Sequence, residues 1–124
     1  MSQKFREFKV YKDSKSLVVF VFRLTRKFPR EFYYLSDQIN RCCLSIALNI
    51  AEGSAKKSNK DFNRYIQNSL GSTSELAAAL EISKDFNLIN TKEYEEIECL
   101  LNEITKQLGG FSKFLLAQKP ITNN

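Results

Sequence analysis

The sequence predicts an all-α protein folded as an antiparallel, up-down-up-down, left-handed four-helix bundle. Three observations carry that prediction. Tyr94, Ile97, Leu101, Ile104, Leu108, Phe111 and Leu115 alternate spacings of three and four without a fault, which is the seam of a coiled-coil-like bundle. Three earlier segments share the helical period, and the connections at 29–35, 54–58 and 88–91 are short enough to favour antiparallel neighbours. Residues 1–124 read as one domain with no repeat or linker, and 43% apolar content is ample for a core without staples.

The first helix is expected near 10–28, stopped by Pro29, which disfavours helical geometry at Phe28. Val10, Leu17, Phe20, Val21, Leu24 and Phe28 share one face. The run LVVFVF would suit a buried strand by its β-branched content, but the flanking spacing is helical. Tyr11, Val18 and Phe22 form a second apolar stripe about 100° away. A monomeric bundle needs one stripe per helix, so the second is expected to be an oligomer interface.

The second helix is expected near 36–54, with Ser36 as N-cap and Gly53 as the C-terminal glycine. The third, near 59–87, opens with Ser58 and Asp61 in the arrangement of a capping box. Its core face holds Phe62, Ile66, Ser69, Leu70, Thr73, Leu76, Ala77 and Leu80, and the small residues Ser69, Gly71, Thr73 and Ala77 permit a close helix approach. The fourth opens at Thr91 and spans about 92–117, before Pro120. Gly109 and Gly110 interrupt its seam and mark close packing or a kink. The tail after Ala117 is expected to fray.

The second helix carries a polar ladder. Gln38, Arg41, Ser45, Asn49 and Glu52 fall within about 80° of one another. Leu35, Ile39, Cys42, Cys43, Ile46 and Ile50 flank it on one side, with Leu44, Leu48 and Ala51 on the other. A stripe fenced on both sides is expected to be half-buried, its polar groups paired with another helix or subunit. Glu75 or Ser72 of the third helix is expected to meet this ladder, in the same or an adjacent subunit, with Arg41 the leading candidate partner. Glu52 sits unfavourably near a helix C-terminus and calls for a cation, from Lys56 or a neighbouring Arg41. Such a network more often sets helix register than binds a substrate.

The blocks FP-x-x-E, QINR, SIALNIAEG and LGSTSEL, in this order and spacing, resemble the bacterial four-helix-bundle proteins called the 23S rRNA intervening-sequence protein family. The likeness runs from about Phe8 to Leu116. Members are often encoded in segments inserted into large-subunit ribosomal RNA genes, and the family brings no defined biochemical activity. The more distant accessory proteins of diversity-generating retroelements share the bundle, form basic pentamers and bind nucleic acid with a reverse transcriptase. From that fold-level likeness come the expectations of a pentamer and of a nucleic-acid enzyme as partner. Where the family usually has Arg after NIAEG, this chain has Lys in SAKKS, which keeps charge but loses bidentate phosphate geometry.

Composition narrows the chemistry. With no histidine, a Ser-His-Asp triad is excluded and an ordinary zinc site is not expected, nor is any Gly-rich phosphate loop present. Carboxylates such as Glu52, Glu75 and Glu81 lack the Glu-x-x-His partner of carboxylate metal bundles. The expectation is therefore no enzyme, no metal and no cofactor. Cys42 and Cys43 diverge by about 100° on a helix, so they are not expected to bond each other, and Cys99 stands alone. All three read as small fillers in a reducing cytoplasm. No apolar run spans a membrane, and the N-terminus lacks the apolar centre of a signal peptide.

Charge is uneven. Residues 1–60 carry a balance of +8 and residues 61–124 one of −3, within a net charge of +5. Lys12, Lys15, Arg23 and Arg26 fall within about 80° on the first helix, away from both apolar stripes. Lys56, Lys57 and Lys60 follow the second helix. Together these are the candidate phosphate contacts to RNA or DNA, against the plainer reading of a solvated basic face. Repetition of the patch around a ring would raise a weak affinity. The other function weighed is a scaffold that recruits a protein partner without touching nucleic acid.

Overall fold

Four long helices form where the apolar spacing is helical, and the computed structural model describes residues 3–118 of the chain. They are α1 (Lys9–Thr25), α2 (Tyr33–Ser54), α3 (Asn59–Asp85) and α4 (Thr91–Ala117). Among the described residues there is no strand, and LVVFVF lies wholly in α1. Each helix packs on two others: α2 on α1 and α3, and α4 on α3 and α1. The core between them is built from Leu17 and Val21 of α1, Ile39, Ile46 and Ile50 of α2, Ile66 and Leu76 of α3, and Ile97, Ile104 and Leu108 of α4. No described helix is long and apolar enough to cross a membrane. The expectations for Pro120 and the tail beyond Gln118 lie outside the described residues.

The helix ends differ from expectation in ways local chemistry explains. α1 stops at Thr25 rather than Phe28, because Lys27 N–H and Phe28 N–H bond to carbonyls only three residues back, at Leu24 and Thr25. That tightening closes the helix before Pro29. Ser36 is not an N-cap. Pro29 starts a one-turn 3-10 helix, Arg30–Phe32, that feeds directly into α2 at Tyr33, and the Ser36 hydroxyl donates to the Tyr33 carbonyl. A second 3-10 turn, Lys4–Glu7, precedes α1 and was not anticipated.

At the start of α3 the Ser58 hydroxyl accepts from the Asp61 amide at 3.1 Å. α3 ends at Asp85, short of 87, in a Schellman motif: Asn87 N–H donates to Lys84 O and Leu88 N–H to Ser83 O, with Asn87 at φ 58°. Asparagine tolerates that left-handed backbone, so the stop signal was present without a glycine. α4 has a full capping box. The Asn90 side chain accepts from the Glu93 amide, and the Glu93 carboxylate accepts from the Asn90 amide.

Gly53 is not a left-handed helix terminus; it is buried within α2 against α3. Gly71, Gly109 and Gly110 face open space instead, so the last two mark no close packing. On α3 the core takes Ala79 and Ser83, whereas Ala77 is exposed. Buried Ser69 makes the close approach possible, donating across the interface to the Ile46 carbonyl at 2.9 Å.

Candidate nucleic-acid interface and polar seam

The basic side chains of α1 stand on its outer face because the apolar residues at helical spacing turn the opposite face into the core. Lys12, Lys15 and Arg23 line one open depression of about 560 Å³, together with Ser16, Val19 and Phe20. Lys12 has a long ion pair with Glu7 at 3.9 Å, and Lys15 lies over the Tyr11 ring at 5.6 Å. Arg23 and Arg26 form no ion pair among the described residues. Arg26 lines a neighbouring depression of about 400 Å³ where the end of α1 meets the start of α2.

Lys56, Lys57 and Lys60 are exposed at the turn between α2 and α3. Lys56 is drawn over the Tyr65 ring at 5.0 Å, so it does not neutralise Glu52, which has no ion pair among the described residues. Phe8, just before α1, stacks on Phe62 in the first turn of α3. That contact brings the N-terminal end of α1 to the same end of the molecule as this lysine turn.

The ladder of α2 meets α3 along a polar seam. The Ser45 and Ser72 hydroxyls lie 2.8 Å apart, and the Asn49 amide donates to both the Ser45 carbonyl and hydroxyl. Asn68 approaches Asn49 at 3.5 Å. Gln38 donates to Glu75 at 3.4 Å, and the Cys42 thiol faces the same carboxylate at 3.6 Å. Within the chain Arg41 does not meet Glu75. It bonds Asp37 one turn back on its own helix at 2.9 Å, because that pairing needs no reach across the groove. The fence is one-sided: Leu44 and Leu48 are exposed, while the other flank is buried.

The second stripe of α1 divides. Tyr11 and Val18 pack partly buried against the chain's own core, Tyr11 also meeting Phe5 edge-on, whereas Phe22 remains 54% exposed. Tyr33, Leu44 and Leu48, all exposed, lie within about 60° on α2. The 3.6 period set Tyr11, Val18 and Phe22 apart from the main core face, but only the packing shows which of them still find cover.

No group of three His, Cys, Asp or Glu among the described residues could hold a metal ion. Burial pushes the Cys43 thiol up to about 12, and Cys42 is raised by burial and by Glu75 despite the opposing Gln38 hydrogen bond. All three cysteines are free, Cys99 alone being exposed.

The family model of the 23S rRNA-intervening sequence protein matches residues 6–110, from before α1 to within α4. The chain belongs to that family. A solved structure from Bacteroides thetaiotaomicron, a protein of unknown function from the S23 ribosomal protein family, is similar at 27% identity with a TM-score of 0.80. The alignment covers 84% of this chain and 98% of that one. No protein of curated function matches. For this 23S rRNA-intervening sequence family member, the resemblance read from FP-x-x-E, QINR, SIALNIAEG and LGSTSEL thus extends from motif to fold.

Proposed function

We propose that the protein is a non-enzymatic homo-oligomer, a pentamer in the simplest case, that binds RNA or DNA in the cytoplasm through sequence-independent phosphate contacts. The observation carrying this reading is the joint placement of Lys12, Lys15 and Arg23 in one depression whose sole ion pair among the described residues is a long one to Glu7. Arg26 extends the same face, and Lys57 and Lys60 add exposed charge at the end of the molecule. Cations so weakly compensated raise the local potential and release counterions when phosphates replace them. Burial holds the Cys43 thiol protonated, and burial together with the Glu75 carboxylate it faces raises Cys42, so neither thiol is an activated nucleophile, which supports a binding role over catalysis.

The test is light-scattering mass with and without generic RNA and duplex DNA across a salt series. An oligomer that binds at low salt and releases as salt rises supports the reading. An oligomer that binds neither at any salt overturns it. A second reading, a scaffold recruiting a protein such as a nucleic-acid enzyme, is favoured by the exposure of Phe22, Tyr33, Leu44 and Leu48. Partner binding through that surface would weaken little with salt.

A further inference from the structure

The depression at the junction of α1 and α2 has a composition that phosphate binding alone does not require. Its volume is about 400 Å³, and its lining includes Phe22, Arg26, Arg30, Asp37, Tyr33 and Asn40. Phe22 is 54% exposed and Tyr33 is 70% exposed, so two aromatic rings stand at its edges in contact with water. Arg26 and Arg30 form no ion pair among the described residues. The one carboxylate in the lining, Asp37, is already neutralised by Arg41 at 2.9 Å. Asn40 donates to Thr25 of α1 and to the Ser36 carbonyl of α2, which ties the floor across both helices and leaves an amide carbonyl as acceptor.

We infer that this depression receives an unpaired nucleobase, stacked on Phe22 and Tyr33, with the flanking phosphates held by Arg26 and Arg30. The inference rests on the nucleic-acid reading above and deepens it, because it selects single strands over duplex. Arg26 caps the C-terminal end of α1 in helical backbone, three residues beyond Arg23, so the depression continues the strip that starts at Lys12. From Lys12 to Arg26 that strip runs about 21 Å along the helix axis, longer than one phosphate group needs and suited to a strand backbone. A cationic track ending in exposed aromatic faces is how single strands are held without sequence preference. Bases paired in a duplex cannot present their faces to such a pocket.

The experiment titrates the full chain at low salt with a short oligoadenylate RNA carrying 2-aminopurine and with an RNA duplex of equal length. The expected result is tighter binding of the single strand, with 2-aminopurine emission quenched by stacking. Tyr33→Leu and Phe22→Leu should each lower oligoadenylate affinity roughly tenfold, with duplex affinity unchanged. Tyr33→Phe, which keeps the ring, should retain the wild-type affinity. Circular dichroism and light scattering on each variant separate lost stacking from lost fold or assembly. Equal affinity for both nucleic acids, or no response to the leucine variants, overturns the pocket while the phosphate strip stands. Binding of neither nucleic acid overturns both readings together.

Discussion

Gly53 of α2 packs directly against Tyr65 of α3: a Cβ placed on Gly53 would lie 2.7 Å from the Tyr65 Cβ and 2.9 Å from the Phe62 ring. The tight part of the interface between these helices thus depends on a missing side chain. Gly53→Ala is expected to destabilise by about 1–3 kcal/mol through overpacking, outweighing its gain in helix propensity. Gly109→Ala, facing open space in α4, is expected to stabilise by about 0.5–1 kcal/mol. Urea denaturation of the pair checks both signs.

The seam between α2 and α3 predicts where coupling resides. Ser45→Ala, Ser72→Ala and the double variant should show a coupling of about 0.5–1 kcal/mol, because removing either hydroxyl leaves the other without its 2.8 Å partner. Arg41→Ala should change stability by no more than about 0.5 kcal/mol, since its pair with Asp37 is local and largely exposed. A larger loss at Arg41 than at Ser45 would contradict this arrangement.

Asp13 links α1 to α4 and makes acid stability pH-dependent. Burial pushes its carboxyl up, but hydrogen bonds from Lys9 and Gln107, each at 2.7 Å, and the Lys9 charge outweigh burial and hold it below the ordinary 3.8. A carboxyl depressed in the folded state contributes stability above its unfolded value and loses it as pH falls through the folded one. Asp13→Asn should therefore be less stable than wild type at neutral pH, and the gap should close as pH falls below 3.8. Thermal melts of both proteins across that range measure it.

The thiols offer a chemical readout of the core. In the native protein at mildly alkaline pH, iodoacetamide should modify Cys99 and spare Cys42 and Cys43, as read by intact mass. Cys43 is raised from 9.0 to about 12 by burial, so the unfolded chain ionises there first. Its contribution is complete below pH 9 and declines between 9 and 12; Cys43→Ala should remove that part of the alkaline slope.

The sequence made the four helices legible because their apolar residues recur at spacings of three and four, and burial of that stripe is what stabilises a helix. Ile97, Leu101, Ile104, Leu108 and Leu115, all read as seam, are all buried. The ends were less legible, since capping depends on single polar residues with several competing uses. Ser36 serves its own helix interior, and Asn87 and Asn90 do the terminating work at the α3 to α4 connection.

Periodicity by itself determined the fold class, and the ordered family blocks pointed to the family, because both are properties of residue order along one chain. The partners of the ladder were decided only by the tertiary structure. Whether Arg41 reaches Glu75 or turns back to Asp37 depends on distances across a groove that spacing along α2 does not encode. The same holds for Gly53, read as a helix stop but placed against Tyr65. It holds also for the depression that gathers Phe22, Arg26, Tyr33 and Asn40 from two helices, since residues distant in sequence become neighbours only when both helices pack on a common core.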